Sequence, residues 1–489
     1  MPRNSRRIDL AELAAQIMTD RGLEPDFSAA ALAQAAHLGV PDRASDREAR
    51  DLTGMDWASI DNDDSRDLDQ LTASEAMGDG KVRVYVAVSD VDASVCRGTP
   101  IDDHARTNTT SIYTPGKVFP MLPERCSYDL TSLNEGEERP AVVTTFEVDA
   151  DGGLGATRVL RAWVRSKAKL AYNSVGAWLS GDGPMPEPMS RRPAVAEQIR
   201  MQDGVAAVLF EQRHERGALD LRTIEPKAVI SDGDVVDLVE DERCRAHEII
   251  EDFMVAANGV TAQFLTNAGY PSFRRVVVEP RRWDRIRRLA DDLGERLPAD
   301  PDPRALNSFL GRRRRADPVE YPDLSLSVVK LLGKGEYAVQ MPGDEPIGHF
   351  GLAVRDYAHS TAANRRFPDL ITQRLLKAAI AGVPVPYSRD ELIALAEQCT
   401  RQEDAAKKVE RQMRKAVAAM VLAPRIGQTF SGIVTGAADK GTWVRLFKPP
   451  VEGRLIEGTR GLDVGDRVTV KLVDTDPVRG YIDFVRSSR

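Results

Sequence analysis

Hydrophobic and polar positions alternate most regularly over Lys81–Val88. A repeat of two residues is typical of a β-strand with one buried face, and the glycine-rich turn before it indicates a hairpin. The partner strand is predicted at residues 67–75. Because side-chain direction repeats every two residues, Asp67 and Asp69 would then project from the same strand face. Further strands are predicted at 141–149 and 154–165.

Helical periodicity dominates the rest of the central region. Apolar residues recur there at spacings of three and four, which is the pattern of a helix with one buried side. The predicted helices cover 193–214, 243–268, 280–295, 369–380 and 401–423. Strands and helices are therefore mixed between residues 46 and 423, and we predict one mixed α/β domain over that range.

Residues 1–45 are predicted to form a separate helical segment. An apolar stripe begins at Leu10, Gly22 interrupts it, and a second helix is predicted over Ser28–His37. Two short helices around a tight turn are typical of a helix-turn-helix module, and they are equally typical of a helical cap on the next domain. The sequence has no evident basic recognition face here, which favours the cap.

Short strand patterns separated by glycine-containing turns return after Pro424, at 427–434, 441–446, 468–473 and 481–484. This spacing predicts a five-stranded OB-fold β-barrel over 424–489, and hence an α+β chain overall. Trp443 and Arg445 lie among other aromatic and basic residues of this segment. That mixture suits stacking of unpaired bases beside phosphate contacts, although the aromatic rings could instead fill the barrel interior.

The composition is that of an ordinary soluble protein, with 42% hydrophobic and 29% charged residues among 489. No run is apolar enough for a membrane span, and the first residues lack a signal-peptide core. Four cysteines without metal or disulfide spacing indicate a reducing cytoplasm. A net charge of −8 argues against a surface coated for nucleic acid, but a buried channel could still be basic.

The most informative stretch is Ile60–Gln70, where five aspartates crowd into eleven positions. Carboxylates this close repel one another unless a cation lies among them, and Mg²⁺ prefers oxygen ligands in a near-octahedral shell. A solvated acidic loop and a calcium-binding turn are the alternatives that spacing alone leaves open.

Five segments in a fixed order resemble the ribonuclease II/ribonuclease R family of exoribonucleases. The acidic stretch is similar to the family's Thr-Ile-Asp…Asp-Leu-Asp-Asp motif. The other similar segments are Tyr85–Val91, Thr110–Glu124, Glu248–Asn258 and Tyr357–Leu370. The match runs over roughly residues 46–486, and collinear matches of this length are far more specific than any single motif.

The resemblance implies processive 3′→5′ hydrolysis of single-stranded RNA with a free 3′ end, releasing nucleoside 5′-monophosphates. It implies Mg²⁺, for which Mn²⁺ can substitute, held by Asp61, Asp67, Asp69 and Gln70. Asp69 and Arg365 would be catalytic, with Arg365 donating to the scissile phosphate.

The resemblance also implies an RNA-binding set. Tyr113 would stack on the 3′-terminal base. Arg366 would contact RNA or pair with a structural carboxylate, and Trp443 and Arg445 would extend the RNA path onto the barrel. A cytoplasmic monomer with no membrane association is expected.

Three departures from the family pattern bear on activity. Gln70 stands where the family has a second aspartate, which predicts weaker metal binding unless Asp63, Asp64 or Asp90 compensates. Ala362-Ala363-Asn364 replaces Ser-Pro-Ile before the paired arginines, and Gln373 replaces a histidine. The alternative function is therefore a catalytically degenerate RNA-binding regulator of the same fold.

The front of the chain departs as well. Family members usually carry two cold-shock barrels before the catalytic block, whereas about forty-five residues with helical patterns precede it here. A more open entrance is expected to admit RNA with a duplex close to its 3′ end. A third hypothesis for the function is a translation-associated OB-fold protein with an unrelated α/β domain.

Overall fold

The computed structural model describes residues 8–223, 226–231, 234–240, 243–277, 280, 282–438 and 440–487. Strands in these residues are β1 (Arg50–Asp51), β2 (Ala58–Asp61), β3 (Gln70–Gly78), β4 (Lys81–Ser89), β5 (Ile112–Thr114), β6 (Lys117–Phe119), β7 (Glu138–Val148), β8 (Leu154–Arg165), β9 (Ala168–Ala171), β10 (Pro226–Ser231), β11 (Asp234–Glu240), β12 (Ser272–Val276), β13 (Glu336–Gln340), β14 (Thr429–Ala438), β15 (Gly441–Leu446), β16 (Glu452–Glu457), β17 (Arg467–Asp476) and β18 (Tyr481–Arg486).

The helices are α1 (Leu10–Asp20), α2 (Ala29–His37), α3 (Pro100–Asn108), α4 (Tyr172–Ser180), α5 (Glu187–Ser190), α6 (Pro193–Glu215), α7 (Arg245–Asn267), α8 (Trp283–Asp292), α9 (Pro303–Ala316), α10 (Tyr321–Leu332), α11 (Phe367–Ala381) and α12 (Arg389–Leu422). The predicted α+β class and every helix predicted for the central domain are confirmed, with α12 beginning well before residue 401. Among the described residues, we find no helix with the length and apolar character needed to cross a membrane.

A seven-stranded sheet in the order β1-β8-β7-β4-β3-β2-β9 organises the central domain. The predicted hairpin is confirmed, with Gln70 opposite Val88, but β3 begins at Gln70 rather than at residue 67. Leu68 donates its amide to Ser132 Oγ at 3.0 Å and its carbonyl accepts from Leu133, so this segment pairs outside the sheet. The prediction that Asp67 and Asp69 share a strand face was therefore wrong, since both precede the strand.

Helices α6, α7 and α11 bury one face of the sheet. Valines of β4 and β7 alternate into this core, as a strand with one helix-covered face requires. Phe146 of β7 meets Phe253 of α7 edge to face, with ring centroids 6.2 Å apart. The sheet is thus held rigidly from one side, and the loops at its ends carry the polar residues considered below.

The two N-terminal helices form a cap. Ile17 and Met18 of α1 share a buried cluster with Ile112 and Phe119 of the β5–β6 hairpin and with Val409 and Met413 of α12. The second helix packs against α3. Because α1 buries its apolar stripe in this way, the segment packs on the central domain as the cap interpretation predicts.

The C-terminal strands close into a five-stranded barrel in the order β14-β15-β16-β18-β17, with β16 and β18 parallel. This is the topology of an OB fold, as predicted. Sequence patterns missed β16, in which half-buried Glu452 and exposed Arg454 and Glu457 leave only a short apolar alternation.

The barrel docks on two helices. Valines and alanines at the end of α12 belong to the same buried cluster as the barrel interior. On the other side, Arg445 of β15 donates from Nη2 to Asp323 Oδ2 of α10 at 2.9 Å. The side chains of this ion pair are only 10% and 12% exposed, so their contact closes the barrel against the central domain.

We expect Arg445→Met to lower the free energy of unfolding by about 2–3 kcal/mol, because Asp323 would keep a buried charge without its partner. Urea denaturation of the full chain measures this. Arg467→Met is the matched control, since Arg467 and Glu320 form an exposed pair at 3.8 Å. Its expected cost is below about 1 kcal/mol. Equal effects of the two substitutions would contradict the docking role of Arg445.

Candidate active site

Four segments meet at one end of the large sheet. β2 ends at Asp61, the residues before β3 supply Asp67 and Asp69, the β5–β6 hairpin supplies Tyr113, and the turn before α11 supplies Arg365. Arg365 donates from Nε to Asp69 Oδ2, although the two residues lie 296 positions apart. Tyr113 donates its hydroxyl to Asp67 Oδ2 at 2.8 Å. The fold thus gathers these five side chains.

The carboxylates lie in a poorly solvated environment. Burial, together with the charges of Asp69 and Asp67, raises the pKa of Asp61 to about 8 against the opposing effect of Arg365. Burial likewise raises the pKa of Asp69 to about 6, although Arg365 lowers it. Carboxyl groups are therefore held close together, with the guanidinium of Arg365 beside them.

These carboxylates fit a hard cation. Asp61 Oδ2 and Asp69 Oδ1 are buried and accept no hydrogen bond within the protein, and such unsatisfied oxygens are uncommon. Carboxylate oxygens are the ligands that Mg²⁺ prefers. In the described residues, no group of three or more His, Cys, Asp or Glu side chains is arranged closely enough to enclose a metal ion by itself. The fit therefore rests on the two free oxygens.

Backbone hydrogen bonds hold Arg365 in place. Its carbonyl accepts from the amide of Ser111 at 2.9 Å, and the amide of Phe367 donates to the carbonyl of Thr109 at 2.8 Å. The segment that leads to Tyr113 is therefore fastened to the segment that carries Arg365. Burial lowers the pKa of Arg365, but Asp69 more than offsets this, so the guanidinium stays charged.

Arg366 has a different environment from Arg365. It donates from Nη2 to Asp369 Oδ1 at 2.7 Å, and this carboxylate is fully buried. Asp369 also accepts from the amide of Ala362 at 2.9 Å. Of the two roles that the sequence left open for Arg366, the described contacts are those of the structural pair, which stiffens the turn where the family has Ser-Pro-Ile.

Gln70 is the first residue of β3 and is only 5% exposed. Three aspartates were suggested to compensate for the missing charge at this position, and they differ in their surroundings. Asp63 and Asp64 lie exposed in the turn after β2. Asp90 was a wrong candidate, because it caps the turn after β4 and pairs with Lys377 Nζ at 2.8 Å. Its charge is already neutralised within the fold.

Sequence reasoning missed Tyr172, the first residue of α4. Burial raises its pKa, and Asp61 and Arg365 are the charges that act most strongly on it. Its ring stacks on His247 of α7, with centroids 4.0 Å apart and planes at 11°. Its position after β9 could have indicated a role in the site. β9 runs parallel to β2, and parallel neighbouring strands end at the same edge of a sheet.

The barrel residues predicted to bind RNA lie apart from this site, and they differ from each other in solvent exposure. Trp443 is half-buried on β15, whereas Phe447 is 37% exposed. Arg445 was predicted to contact RNA, but its guanidinium is engaged by Asp323 and the residue is 9% exposed. The prediction that Arg445 contacts RNA was therefore wrong, because a phosphate contact requires a donor that is open to solvent.

Two family models match the chain. The RNB domain model matches residues 49–382, which is more than half of the chain, and the RNase II-type exonuclease C-terminal S1 domain model matches residues 428–487. The chain belongs to the RNB-domain family. The resemblance noted from sequence motifs is thereby confirmed. RNB-domain ribonucleases are metal-dependent nucleases, in agreement with the unpartnered carboxylate oxygens.

Curated relatives are longer than this chain. Ribonuclease R of Aquifex aeolicus is 30% identical over 482 residues, which cover 91% of this chain and 66% of the relative. For Ribonuclease R of Escherichia coli the identity is also 30%, over 82% of this chain and 50% of the relative. The chain therefore spans about one half to two thirds of the length of these relatives.

Solved structures share the fold. Mycoplasma genitalium RNase R in complex with ribose methylated single-stranded RNA superposes with a TM-score of 0.88 at 23% identity, over 98% of this chain and 78% of the other. Yeast Ssd1, a pseudonuclease, superposes with a TM-score of 0.73 at 17% identity, over 95% and 57%. An inactive protein with this fold means that activity has to be argued from the site.

We expect Asp61→Asn to raise the free energy of unfolding by about 1–3 kcal/mol at pH 9 in EDTA, because Asp61 is ionised there and burial and Asp69 disfavour its charge in the folded state. Chemical denaturation measures the change. Asp63→Asn, at an exposed position of the same loop, is the control and should change stability by less than about 0.5 kcal/mol. A destabilised Asp61→Asn would mean that the carboxylates are not under electrostatic strain.

Proposed function

We propose that this protein is a Mg²⁺-dependent, processive 3′→5′ exoribonuclease that hydrolyses single-stranded RNA to nucleoside 5′-monophosphates. The observation that carries the proposal is the pair of buried carboxylates, Asp61 and Asp69, with free oxygens beside the charged Arg365. Membership of the RNB-domain family supports it. We further propose that the protein acts as a monomer in the cytoplasm and that Mn²⁺ can replace Mg²⁺.

Hydrolysis of a phosphodiester requires that charge be neutralised on the attacking and leaving oxygens, which bound Mg²⁺ ions supply. Asp61, Asp67 and Asp69 would hold these ions. The carboxylates have few protein donors to satisfy them, so their oxygens are available as ligands. Asp69, which is 3% exposed, would contribute most because water cannot screen its charge.

Arg365 would stabilise the charge that grows on the phosphate. A guanidinium has five N–H donors, and the contact with Asp69 uses the one on Nε. The side chain is 36% exposed, so the remaining donors can reach a phosphate entering from the open side. Asp69 thereby orients the arginine in addition to binding metal.

Tyr113 would fix the cleavage register by stacking on the 3′-terminal base. The residue is 43% exposed, and its hydroxyl donates a hydrogen bond to Asp67 of the carboxylate cluster. Unpaired bases offer the π-face that such stacking requires, which favours single strands. Mycoplasma genitalium RNase R has been solved with double-stranded RNA at 25% identity and a TM-score of 0.86. We therefore propose that hydrolysis can approach a duplex closely.

The alternative is a catalytically degenerate RNA-binding regulator. Gln70 favours it, because an amide carbonyl can bind Mg²⁺ but brings no negative charge. The intact set of Asp61, Asp67, Asp69 and Arg365 disfavours it. The two functions differ in one observable, hydrolysis that depends on Asp69.

Asp69→Asn should lower the rate of RNA hydrolysis by roughly 10³-fold, about 4 kcal/mol of activation free energy, because a metal ligand with full charge is lost. RNA affinity should stay within about threefold, since stacking and phosphate contacts remain. Single-turnover hydrolysis and fluorescence anisotropy measure the two quantities. Asp79→Asn, which changes an exposed carboxylate of the β3–β4 turn, should retain full activity. An inactive wild-type protein that binds RNA would favour the regulator.

Gln70→Asp should lower the Mg²⁺ concentration for half-maximal hydrolysis by roughly threefold to tenfold, because it adds a carboxylate to the cation site. Titration of the hydrolysis rate with Mg²⁺ tests this. Gln70→Asn keeps an uncharged carbonyl and is the matched control. Identical Mg²⁺ dependence in the two variants would place position 70 outside the metal's reach.

A further inference from the structure

The hydroxyl of Tyr113 connects the residue proposed to stack on the 3′-terminal base with the proposed metal site. Tyr113, the proposed stacking residue, donates its hydroxyl to Oδ2 of Asp67, a proposed metal ligand, at 2.8 Å. The bond fixes the direction of the ring, because the phenol oxygen is at the end of a rigid side chain with two rotatable bonds. The ring orientation therefore depends on the state of Asp67.

The backbone around Tyr113 is fixed, which leaves rotation of the side chain as the available motion. Its amide donates to Glu410 Oε1 of α12 at 3.1 Å. The flanking Ile112 is fully buried, and Phe119 across the hairpin is 3% exposed, both against α1 and α12. The Tyr113 side chain is 43% exposed and so has room to turn.

The hydrogen bond engages Oδ2 of Asp67, one of the oxygens that a cation beside Asp67 would draw on. A cation among Asp61, Asp67 and Asp69 needs carboxylate oxygens at about 2.1 Å, in a strict octahedral geometry for Mg²⁺. If Asp67 used this oxygen for a cation, its alignment with the phenol would change, and hydrogen bonds weaken steeply when their angle changes.

We propose that binding of a divalent cation and stacking of the 3′-terminal base are coupled through the Tyr113 hydroxyl. The cation draws Asp67 Oδ2 away from the phenol, and the freed ring turns onto the base. Such coupling is reciprocal, so bound RNA also tightens the cation. One hydrogen bond to a carboxylate gives a coupling of about tenfold, which corresponds to about 1.4 kcal/mol. This inference rests on the proposed function, since it takes Tyr113 as the stacking residue.

The test compares RNA affinity with and without Mg²⁺ for the wild type and Tyr113→Phe, which keeps the ring and loses the hydroxyl. The probe is a 5′-fluorescent, single-stranded 2′-O-methyl oligonucleotide whose integrity is checked on a gel. The Mg²⁺-induced gain in affinity should be about tenfold smaller in Tyr113→Phe than in the wild type. Tyr85→Phe is the matched control, because Tyr85 donates to Glu75 far from the site and should leave the gain unchanged. Equal gains in Tyr113→Phe and the wild type would overturn the coupling.

The metal side gives an independent readout without RNA. Mn²⁺ binding, followed by the electron paramagnetic resonance of the free ion, should be about tenfold tighter in Tyr113→Phe, because Asp67 has lost its competing donor. Unchanged or weaker binding would overturn the inference. Neither experiment depends on hydrolysis. A wild type that hydrolyses RNA but shows no coupling between cation and RNA binding would therefore contradict this inference alone. A wild type that shows the coupling but does not hydrolyse RNA would contradict only the proposed function.

Discussion

The ion pair between the buried carboxylate of Asp69 and the partly exposed guanidinium of Arg365 is the interaction on which the site depends. Asp61, Asp67 and Asp69 repel one another in a region where water screens little, and Arg365 is the guanidinium that offsets this repulsion. Removing the arginine would leave buried like charges without compensation, which is far more costly than a missing surface pair. The same unbalanced charge is what makes the carboxylates suitable for a cation.

The fold keeps this pair in register by fastening α11 to the end of β4. Arg374 of α11 pairs with Asp92 at 2.9 Å and Asp102 at 2.8 Å, and Lys377 pairs with Asp90. Gln373 donates to the carbonyl of Ser89 at 2.8 Å. Gln373, which stands where the family pattern has a histidine, therefore makes a structural contact here. Because α11 is held at several points, the turn before it keeps Arg365 in a fixed position.

Strong local patterns in the sequence predicted much of the fold. The β3–β4 hairpin, the long helices and the C-terminal barrel follow from periodicity and turn residues, and the motif order indicated the family. Residues that act through distant partners were not accessible in this way. In the sequence, Arg445 is a candidate for contacting RNA phosphates, but in the structure it pairs with Asp323 of α10. Asp90 likewise meets Lys377 only after the chain folds. Tyr172 had no local charge pattern to mark it.

The most direct test of the proposed function compares linear and circular RNA of the same sequence, each incubated with Mg²⁺ and with EDTA. We predict that linear RNA labelled at its 5′ end is converted to a short labelled remnant without intermediates, only with Mg²⁺, and that the circle persists. Cleavage of the circle would show internal cutting. Binding of both RNAs without hydrolysis at any Mg²⁺ or Mn²⁺ concentration would contradict the exoribonuclease and leave an RNA-binding regulator.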